Sequence, residues 1–281
     1  MSVKQSFRQY LVDQGLSENT IRVYTSVYKR INKEARGTTK RNIVVLEDYL
    51  KKRIIKGRSY YVRYAVNHYL RYIGKPELIP KMPKPKMSDP ETMKATYVDR
   101  KTIVQILKNL KSLPNKKWWV IATIQAYCGT RPAETIKLNR KNIEIQLDGS
   151  VILRIFGKGR RARPTVLFKP LSKIVIEYSR RRGPHPFLSQ TFKSVESEEA
   201  LKAIQSDYHA YYLNVKRVAG ELGYPDFSPH DFRRNFAEDL KKLGYDINLV
   251  QEALGHKDPR TTLIYFKRDV KNIAKAIKRL Y

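Results

Sequence analysis

The sequence predicts a mainly α-helical protein of two domains, the second of which carries a small antiparallel β-sheet. Apolar residues recur at helical spacing through most of the chain. Three short β-like segments follow one another near its middle, separated by glycine-containing turns. A proline-rich, basic stretch over residues 79–98 predicts an extended linker between the two parts, because proline fixes φ and removes a backbone donor.

The first part, residues 1–78, predicts a bundle of four short helices. The first helix covers residues 3–14 and the second follows N-cap residues at 17–20 and runs to about 34. The third begins at Thr39 and the fourth at Ser59. Tyrosines at helical spacing in the fourth helix favour a packed core, with stacking on nucleic-acid bases as the alternative. They are Tyr60, Tyr61, Tyr64, Tyr69 and Tyr72.

The second part, residues 99–281, is predicted to be mixed. Its three strands are separated by an Asp148-Gly149 hairpin signal and by a Gly-Lys-Gly turn at residues 157–159. Residues 182–198 predict a loop because of their two prolines. The predicted strands are 142–147, 151–156 and 163–168, and the predicted helices are 101–110, 118–128, 171–181, 206–221, 229–243, 246–254, 259–266 and 268–280.

Charge is the strongest signal in the composition. The chain has 57 Lys and Arg against 26 Asp and Glu, a formal net charge of +31. Such an excess indicates a nucleic-acid partner. A thermophile surface is the alternative, but there Glu usually rises together with Lys. The sequence lacks the run of about 20 apolar residues that a membrane span needs, and it lacks the apolar core of a signal peptide.

The single cysteine, Cys128, forms neither an internal disulfide nor a thiolate zinc cluster. This usage predicts a reducing, cytoplasmic compartment. Cys128 lies in an apolar run, which favours a small buried hydrophobe over a nucleophile. No cofactor and no metal ion are predicted.

Attack on a DNA phosphodiester without a metal needs three kinds of group. It needs a nucleophile, cations on the two non-bridging oxygens, and an acid for the leaving 5′-oxygen. A tyrosine nucleophile forms a phosphotyrosine ester, which conserves the bond energy for rejoining. Arginine suits the phosphate, since its planar fork makes two hydrogen bonds and keeps its charge at any working pH.

Residues 129–134 read Gly-Thr-Arg-Pro-Ala-Glu at the junction of two predicted helices. Arg131 therefore stands at a helix start, where free N–H groups favour an anion. Taken alone, a solvated surface arginine is the simpler interpretation of this residue.

Two later segments supply further groups of this kind. Residues 228–235 read Ser-Pro-His-Asp-Phe-Arg-Arg-Asn, and His230 and Arg233 share one helix face because they are three residues apart. Residues 254–265 run from Leu-Gly-His to Thr-Thr-Leu-Ile-Tyr, which places Tyr265 about two turns into a helix. Either a histidine or a tyrosine alone would more often be structural.

The order and spacing of these segments resemble the catalytic domain of the tyrosine recombinases, also called phage integrases. The resemblance comprises a Gly-x-Arg-x-x-Glu box, a lysine in a β-turn, a His-x-x-Arg box, and a Leu-Gly-His box that ends in Thr-Thr-x-x-Tyr. The helical first part resembles the family's core-binding, SAM-like domain, and the chain is most similar to the archaeal Xer branch. The catalytic set that the resemblance implies is Arg131, Lys158, His230, Arg233, His256 and Tyr265.

The resemblance also implies a role for each bond-making group. Tyr265 attacks the scissile phosphorus and forms a 3′-phosphotyrosyl link, and its free pKa of about 10 means that it needs help to lose a proton. His230 is the proton acceptor, and Lys158 is the general acid for the leaving oxygen.

The remaining members of the set hold the phosphate. The resemblance implies that Arg131 and Arg233 bind the non-bridging oxygens and that His256 donates a hydrogen bond to the phosphate. Glu134 is expected to orient its neighbours without touching substrate.

Further basic residues are expected to contact the DNA backbone, with a solvated hairpin as the alternative for those that follow the lysine turn. They are Arg160, Arg161 and Arg163 after that turn, and Lys51, Lys52 and Arg53 between the third and fourth helices. The last predicted helix, 270–280, has an apolar stripe that either packs on its own domain or, as the resemblance implies, docks on a neighbouring subunit. The partners implied are double-stranded DNA at a specific site and further copies of the chain, as a tetramer on two duplexes.

The function implied is site-specific recombination, in an Xer-like resolution of chromosome or plasmid dimers. The integrase of a virus or plasmid is one alternative. A type IB topoisomerase shares the chemistry but acts as a monomer, and the Leu-Gly-His box resembles recombinases more closely. An inactive DNA-binding protein on the same scaffold has no reason to keep all six catalytic residues.

Overall fold

The structure is a computed structural model that describes residues 6–34, 59–81, 97–157, 162–180, 182–192 and 195–255, with the single positions 44, 48 and 52. The chain divides into two units, Met1–Met93 and Lys94–Tyr281. Most of the predicted third helix lies outside the described residues, as do the basic residues Lys51 and Arg53 that follow it; its positions 44 and 48 are described and helical. Lys52 is described and exposed, with Asp48 at 2.6 Å as its ion-pair partner.

The first unit contains the helices α1 (Phe7–Asp13), α2 (Glu18–Glu34) and α3 (Ser59–Tyr72), followed by a 3₁₀ turn (Pro76–Lys81). The Ser6 side chain caps α1 by accepting a hydrogen bond from the backbone N–H of Gln9. Residues 79–81 of the predicted linker belong to this 3₁₀ turn and are not extended. The core of the unit consists of Phe7, Leu11, Ile21, Tyr24, Val27, Ile31, Val62, Ala65, Val66 and Leu70.

The tyrosines of α3 do not share one environment. Tyr69 and Tyr72 pack on the core, with ring centroids 6.1 Å and 5.2 Å from that of Phe7. Tyr61 and Tyr64 are 69% and 52% exposed, so the prediction of a core position is wrong for these two. They lie at the edge of the apolar stripe that the buried Val62, Ala65 and Val66 form, on the side exposed to solvent.

The second unit is built around one helix that is buried on almost every side. This helix, α5 (Lys117–Cys128), is apolar around its circumference, as expected for a central core helix. The other elements pack around it or around its neighbours. They are α4 (Arg100–Ser112), α6 (Pro132–Ile136), a 3₁₀ turn (Arg140–Asn142), β1 (Ile143–Ile145), β2 (Val151–Phe156), β3 (Ala162–Leu167), α7 (Leu171–Arg180), α8 (Glu198–Glu221), α9 (Pro229–Lys242) and α10 (Ile247–Leu254).

The three strands form an antiparallel sheet in the order β1-β2-β3. Val151, Leu153 and Ile155 are buried and alternate with more exposed positions, so one face of β2 covers the core. The predicted hairpin signal between β1 and β2 is confirmed by Gly149, which has φ +78°. In the second hairpin, Ile155 pairs with Arg163 and Phe156 with Ala162.

One helix begins earlier than predicted. Helix α8 begins at Glu198 and not at 206, because Ser197 caps it by accepting from the Ala200 N–H at 3.2 Å. Glu198 and Glu199 in its first turn also favour this start through the helix dipole. The predicted helices 259–266 and 268–280 lie outside the described residues. Within the described part of the chain, no helix has the length and apolar character needed to cross a membrane.

Candidate active site

The turn between α5 and α6 presents Arg131 to solvent. Gly129 ends α5 with φ +60°, and a Cβ there would lie 2.4 Å from Cδ1 of Phe236, so the position requires glycine on two grounds. Arg131 is the N-cap residue of α6 and Pro132 occupies the first helical position, as the sequence predicts. The Arg131 side chain is 40% exposed, which leaves its guanidinium accessible to an anion.

Glu134 holds Arg131 in two places. Its carboxylate accepts from the Arg131 backbone N–H at 2.8 Å and from Nη1 of the Arg131 guanidinium at 2.6 Å. The side chain is 7% exposed. Burial opposes ionisation, but the hydrogen bonds from Arg131 and the charges of Arg163 and Arg131 outweigh it and keep the pKa of Glu134 below its usual range. The carboxylate is therefore ionised at neutral pH and fixes the orientation of Arg131.

Helix α9 carries His230 and Arg233 one turn apart. The helix begins with a capping box, in which the Asp231 carboxylate accepts from the N–H and hydroxyl of Ser228 at 2.7 Å each. Arg233 is 5% exposed. Its guanidinium donates from Nη1 to the Gly129 carbonyl at 2.5 Å and from Nη2 to the Leu254 carbonyl at 2.7 Å. Arg233 thus ties the Arg131 turn to the end of α10.

His230 lies one turn before Arg233 on α9, and its side chain is exposed. Partial burial of the ring lowers its pKa, and the charges of Arg234, Arg233 and Arg131 lower it further, while Asp231 opposes them. The imidazole is therefore neutral at neutral pH and able to accept a proton. Two contacts place the start of α9, which carries His230 and Arg233, beside the Arg131 turn: Arg233 donates to the Gly129 carbonyl, and Nε2 of Gln125 donates to the carbonyls of both Thr130 and Pro229.

The buried side-chain amide of Gln125, which the sequence did not single out, connects the Arg131 turn to the start of α9. Gln125 on α5 is fully buried, accepts from the Tyr211 hydroxyl at 2.5 Å, and donates to the carbonyls of Thr130 at 3.1 Å and Pro229 at 3.4 Å. It therefore joins the Arg131 turn to the start of α9. The signal available in the sequence was a single glutamine inside an otherwise apolar helical run.

Arg163, which is predicted to contact the DNA backbone, makes its described contacts within the second unit. Its side chain is 13% exposed and points inward from β3. Nη2 donates to Glu134 at 3.2 Å and Nη1 donates to the Ala253 carbonyl at 2.7 Å. This inward direction follows from the register of β3 against β2, in which Arg163 pairs with Ile155, and the sequence does not give that register.

Two described segments end at Gly157 and Gly255, and these glycines lie close to Glu134 and Arg163. A Cβ at Gly157, which precedes Lys158, would lie 3.5 Å from Oε1 of Glu134. A Cβ at Gly255, which precedes His256, would lie 2.5 Å from Cδ of Arg163. The predicted site residues Lys158, Arg160, Arg161, His256 and Tyr265 lie outside the described residues.

Cys128 does not contribute a nucleophile to the described part of the site. Cys128 is buried, and this burial raises the pKa of its thiol to about 12, so the sulfur stays protonated. Across the described ranges, no group of three His, Cys, Asp or Glu side chains is placed to hold a metal ion.

The chain is similar to several known proteins. Residues 96–272 match the profile of the phage integrase family. The chain is 28% identical over 279 residues to the tyrosine recombinase XerA of Pyrococcus horikoshii, covering 99% of this chain and 93% of that protein. It superposes on a structure of the XerH site-specific recombinase bound to its difH substrate with a TM-score of 0.65 at 19% identity, covering 92% of this chain and 78% of that one. The Tn1549 transposon integrase bound to circular intermediate DNA gives a TM-score of 0.67 at 14% identity, covering 99% and 100%. The likeness establishes the mainly helical fold with its small antiparallel sheet.

Proposed function

Because the chain belongs to the phage integrase family and is thereby a site-specific tyrosine recombinase, we propose that it cleaves and rejoins DNA through a covalent bond to Tyr265. The single observation that carries the proposal is that the Arg131 turn lies beside the start of α9, which carries His230 and Arg233, although the sequence separates Arg131 widely from that pair. Three groups of this chemistry around one point match the needs of a phosphoryl transfer. The full catalytic set that we propose is Arg131, Lys158, His230, Arg233, His256 and Tyr265.

The chemical step follows from these groups. The Tyr265 oxygen attacks the scissile phosphorus, and the P–O bond to the 5′-oxygen breaks. The tyrosine proton passes to the neutral ring of His230, and Lys158 gives a proton to the leaving 5′-oxygen. Rejoining reverses each transfer, with a 5′-hydroxyl of the partner strand as nucleophile. Neither a redox change nor an external energy source is needed.

The positive charge of the site stabilises the transition state. Arg131 and Arg233 place guanidinium groups near the non-bridging oxygens, and His256 adds a hydrogen-bond donor. Removal of one such donor typically lowers the rate by about 10²–10³-fold. We therefore expect the Arg131→Ala and Arg233→Ala variants to retain DNA binding and to lose most of their DNA-cleavage activity.

The basic excess outside the catalytic set is proposed to contact DNA phosphates. It includes Lys51, Lys52, Arg53, Arg160 and Arg161. Arg163 was predicted with them, and its guanidinium donates to Glu134 and to the Ala253 carbonyl. Each phosphate contact contributes to the salt dependence of binding. The observed net charge of +31 supports a polyanionic partner. We place this activity in the cytoplasm.

We also propose that the chain assembles as a tetramer on two duplexes. The support is the apolar stripe predicted for residues 270–280, which would be covered by docking on a neighbouring subunit. Ile277→Asp places a charge on this stripe, and Lys271→Asp changes the charge off the stripe. We expect the first variant to lose the tetramer on DNA in light scattering and the second to keep it. Equal behaviour of the two would contradict the proposal.

The cellular role that we propose is Xer-like resolution of chromosome or plasmid dimers. The support is a set of relatives that carry the Xer name and match nearly the whole chain. Integration of a virus or plasmid uses the same chemistry on a different pair of sites. The sequence of the cleaved site distinguishes the two, since a dimer-resolution site occurs once per replicon and an integration site is shared by two replicons.

The test of the proposal is a trapped covalent adduct. Duplex fragments are incubated with the protein, denaturant-resistant adducts are captured, and the joined DNA is sequenced to find the site. A nicked duplex of that site should then accumulate adduct with the native chain and none with Tyr265→Phe. An adduct that survives this substitution would exclude Tyr265 as the nucleophile. Efficient relaxation of supercoiled plasmid that lacks the site would instead indicate a topoisomerase.

A further inference from the structure

We propose that Arg163 is a positioning residue for DNA cleavage, acting through Glu134 on Arg131 and through the Ala253 carbonyl on the turn that leads to His256. The inference deepens the proposed function and rests on it. It assigns a role to a residue on β3 whose charge, in sequence alone, indicates a contact with the DNA backbone.

The contacts of Arg163 support an internal role. Its side chain is 13% exposed and that of Glu134 is 7% exposed, so the pair lies beneath the surface that DNA would reach. Nη2 of Arg163 lies 3.2 Å from Oε2 of Glu134, while Oε1 of the same carboxylate lies 2.6 Å from Nη1 of Arg131. One carboxylate therefore bridges two guanidinium groups, and we call Arg131, Glu134 and Arg163 the arginine–glutamate triad.

The charges of the triad give Arg163 a consequence for catalysis. Two arginines and one glutamate carry a net charge of about +1, whereas Arg131 and Glu134 alone carry none. Without Arg163, the buried carboxylate would be balanced only by Arg131, and a phosphate at Arg131 would meet a neutral pair. Arg163 thus compensates Glu134 and leaves the charge of Arg131 to the substrate.

The second contact of Arg163 reaches another catalytic segment. Nη1 donates to the Ala253 carbonyl at 2.7 Å in the last turn of α10. Gly255 ends that helix with φ +65°, and a Cβ there would lie 2.5 Å from Cδ and 2.9 Å from Nε of Arg163. The missing side chain at Gly255 makes room for the Arg163 stem, so β3, the Arg131 turn and the residue before His256 are joined by one side chain.

The contacts of Arg163 require the two terminal nitrogens of an arginine side chain. Its two terminal nitrogens point to different partners at fixed angles, and lysine has a single terminal nitrogen. Arg163→Lys keeps the charge but loses one of the two contacts. We therefore expect it to cleave at a rate between those of the native chain and Arg163→Gln.

The experiment separates positioning from DNA contact. The rate constant of adduct formation is measured at saturating DNA in a single turnover, and DNA affinity is measured across a salt series. The rate constant reports the folded fraction only, because unfolded protein lowers the amplitude instead. For Arg163→Gln we expect an unchanged affinity and salt slope, with a rate constant lower by about ten- to a hundredfold, as for other residues that orient a catalytic group.

Arg154→Gln is the matched control. Arg154 lies on the same sheet, is 54% exposed and pairs with Glu144 outside the site. We expect its cleavage rate constant to equal that of the native chain. The inference is overturned if Arg163→Gln weakens binding and reduces the salt slope by about one while its saturating rate constant stays native, since that is the signature of a phosphate contact.

A double-mutant cycle identifies the route of the effect. If Arg163 acts through Glu134, removing it in a Glu134→Gln background should lower the rate constant far less than in the native background. Additive losses would contradict this route. Should Arg163→Gln fail to fold, Arg163→Lys decides the question by the same two readouts. A native chain that forms no adduct at all would refute the proposed function, which is a different outcome from each of these.

Discussion

Substitution of Gln125 by Met should destabilise the second unit by several kcal/mol, although the volume of the side chain changes little. Gln125 is fully buried and connects Tyr211, Thr130 and Pro229. The substitution leaves the Tyr211 hydroxyl and the Thr130 carbonyl without this partner. Because each unsatisfied buried polar group costs about 1–3 kcal/mol, we expect the two groups to lower the free energy of unfolding by about 2–6 kcal/mol. The contact to Pro229, at 3.4 Å, adds little.

Unfolding in guanidinium chloride, followed by tryptophan fluorescence, reports the loss of stability of the second unit. The chain has two tryptophans, Trp118 and Trp119, and both lie on α5. Gln105→Met is the matched control, because Gln105 is exposed on α4 and such a change is usually within about 0.5 kcal/mol.

A second variant tests the cause of the loss. Tyr211→Phe removes the hydroxyl that Gln125→Met would leave without a hydrogen-bond partner. The free energy of unfolding of the double variant should therefore exceed the value expected from adding the two single losses by about 0.5–3 kcal/mol. A loss no larger than that of Gln105→Met, or strict additivity with Tyr211→Phe, would refute the reasoning that a buried hydrogen-bond network joins the Arg131 turn to α9.

Three further outcomes follow from the structure. The pKa of His230 is lowered by burial and by the charges of neighbouring arginines, Arg234 first among them, and a lowered pKa keeps the ring neutral to more acidic pH. Arg234→Gln should therefore raise this pKa and move the acid limb of the pH–rate profile for cleavage to higher pH. An acid limb that does not move would exclude His230 as the titrating base. Lys117 and Asp207 form an ion pair at 2.7 Å with side chains 4% and 5% exposed; Lys117→Met leaves a buried carboxylate and should cost about 3–5 kcal/mol in chemical unfolding, whereas a loss under 1 kcal/mol would show that the carboxylate finds another partner. Burial raises the pKa of the Cys128 thiol to about 12; iodoacetamide should label it only in denaturant, and rapid labelling of the folded chain would show that the thiol is accessible.

Much of the fold follows from local sequence signals. Strand β2 was predicted at its observed limits because alternating apolar residues and flanking turn residues agree there. The start of α9 was predicted at its observed residue, since Ser228 and Pro229 form an N-cap and a first helical position. The start of α8 was missed by eight residues, because the prolines before it outweighed the capping signal at Ser197.

The candidate site was predictable where a short motif carries the chemistry. Arg131, His230 and Arg233 were chosen from such motifs, and the structure brings them together. Arg163 and Gln125 were not, because their roles depend on which way a side chain points and what lies opposite it. The register of β3 against β2 sets the direction of the Arg163 side chain. The packing of α5 against α8 and α9 sets the partners of Gln125. A few neighbouring residues in the sequence encode neither of these.

The most direct measurement is the identity of the residue that becomes attached to DNA. The adduct formed on a nicked duplex is digested with nuclease and protease, and the peptide that retains a nucleotide is sequenced by mass spectrometry. We expect a 3′-phosphonucleotide on Tyr265, and none on the exposed Tyr61 or Tyr64. Attachment at another tyrosine, or a recombination reaction that proceeds without any covalent peptide, would contradict the assignment.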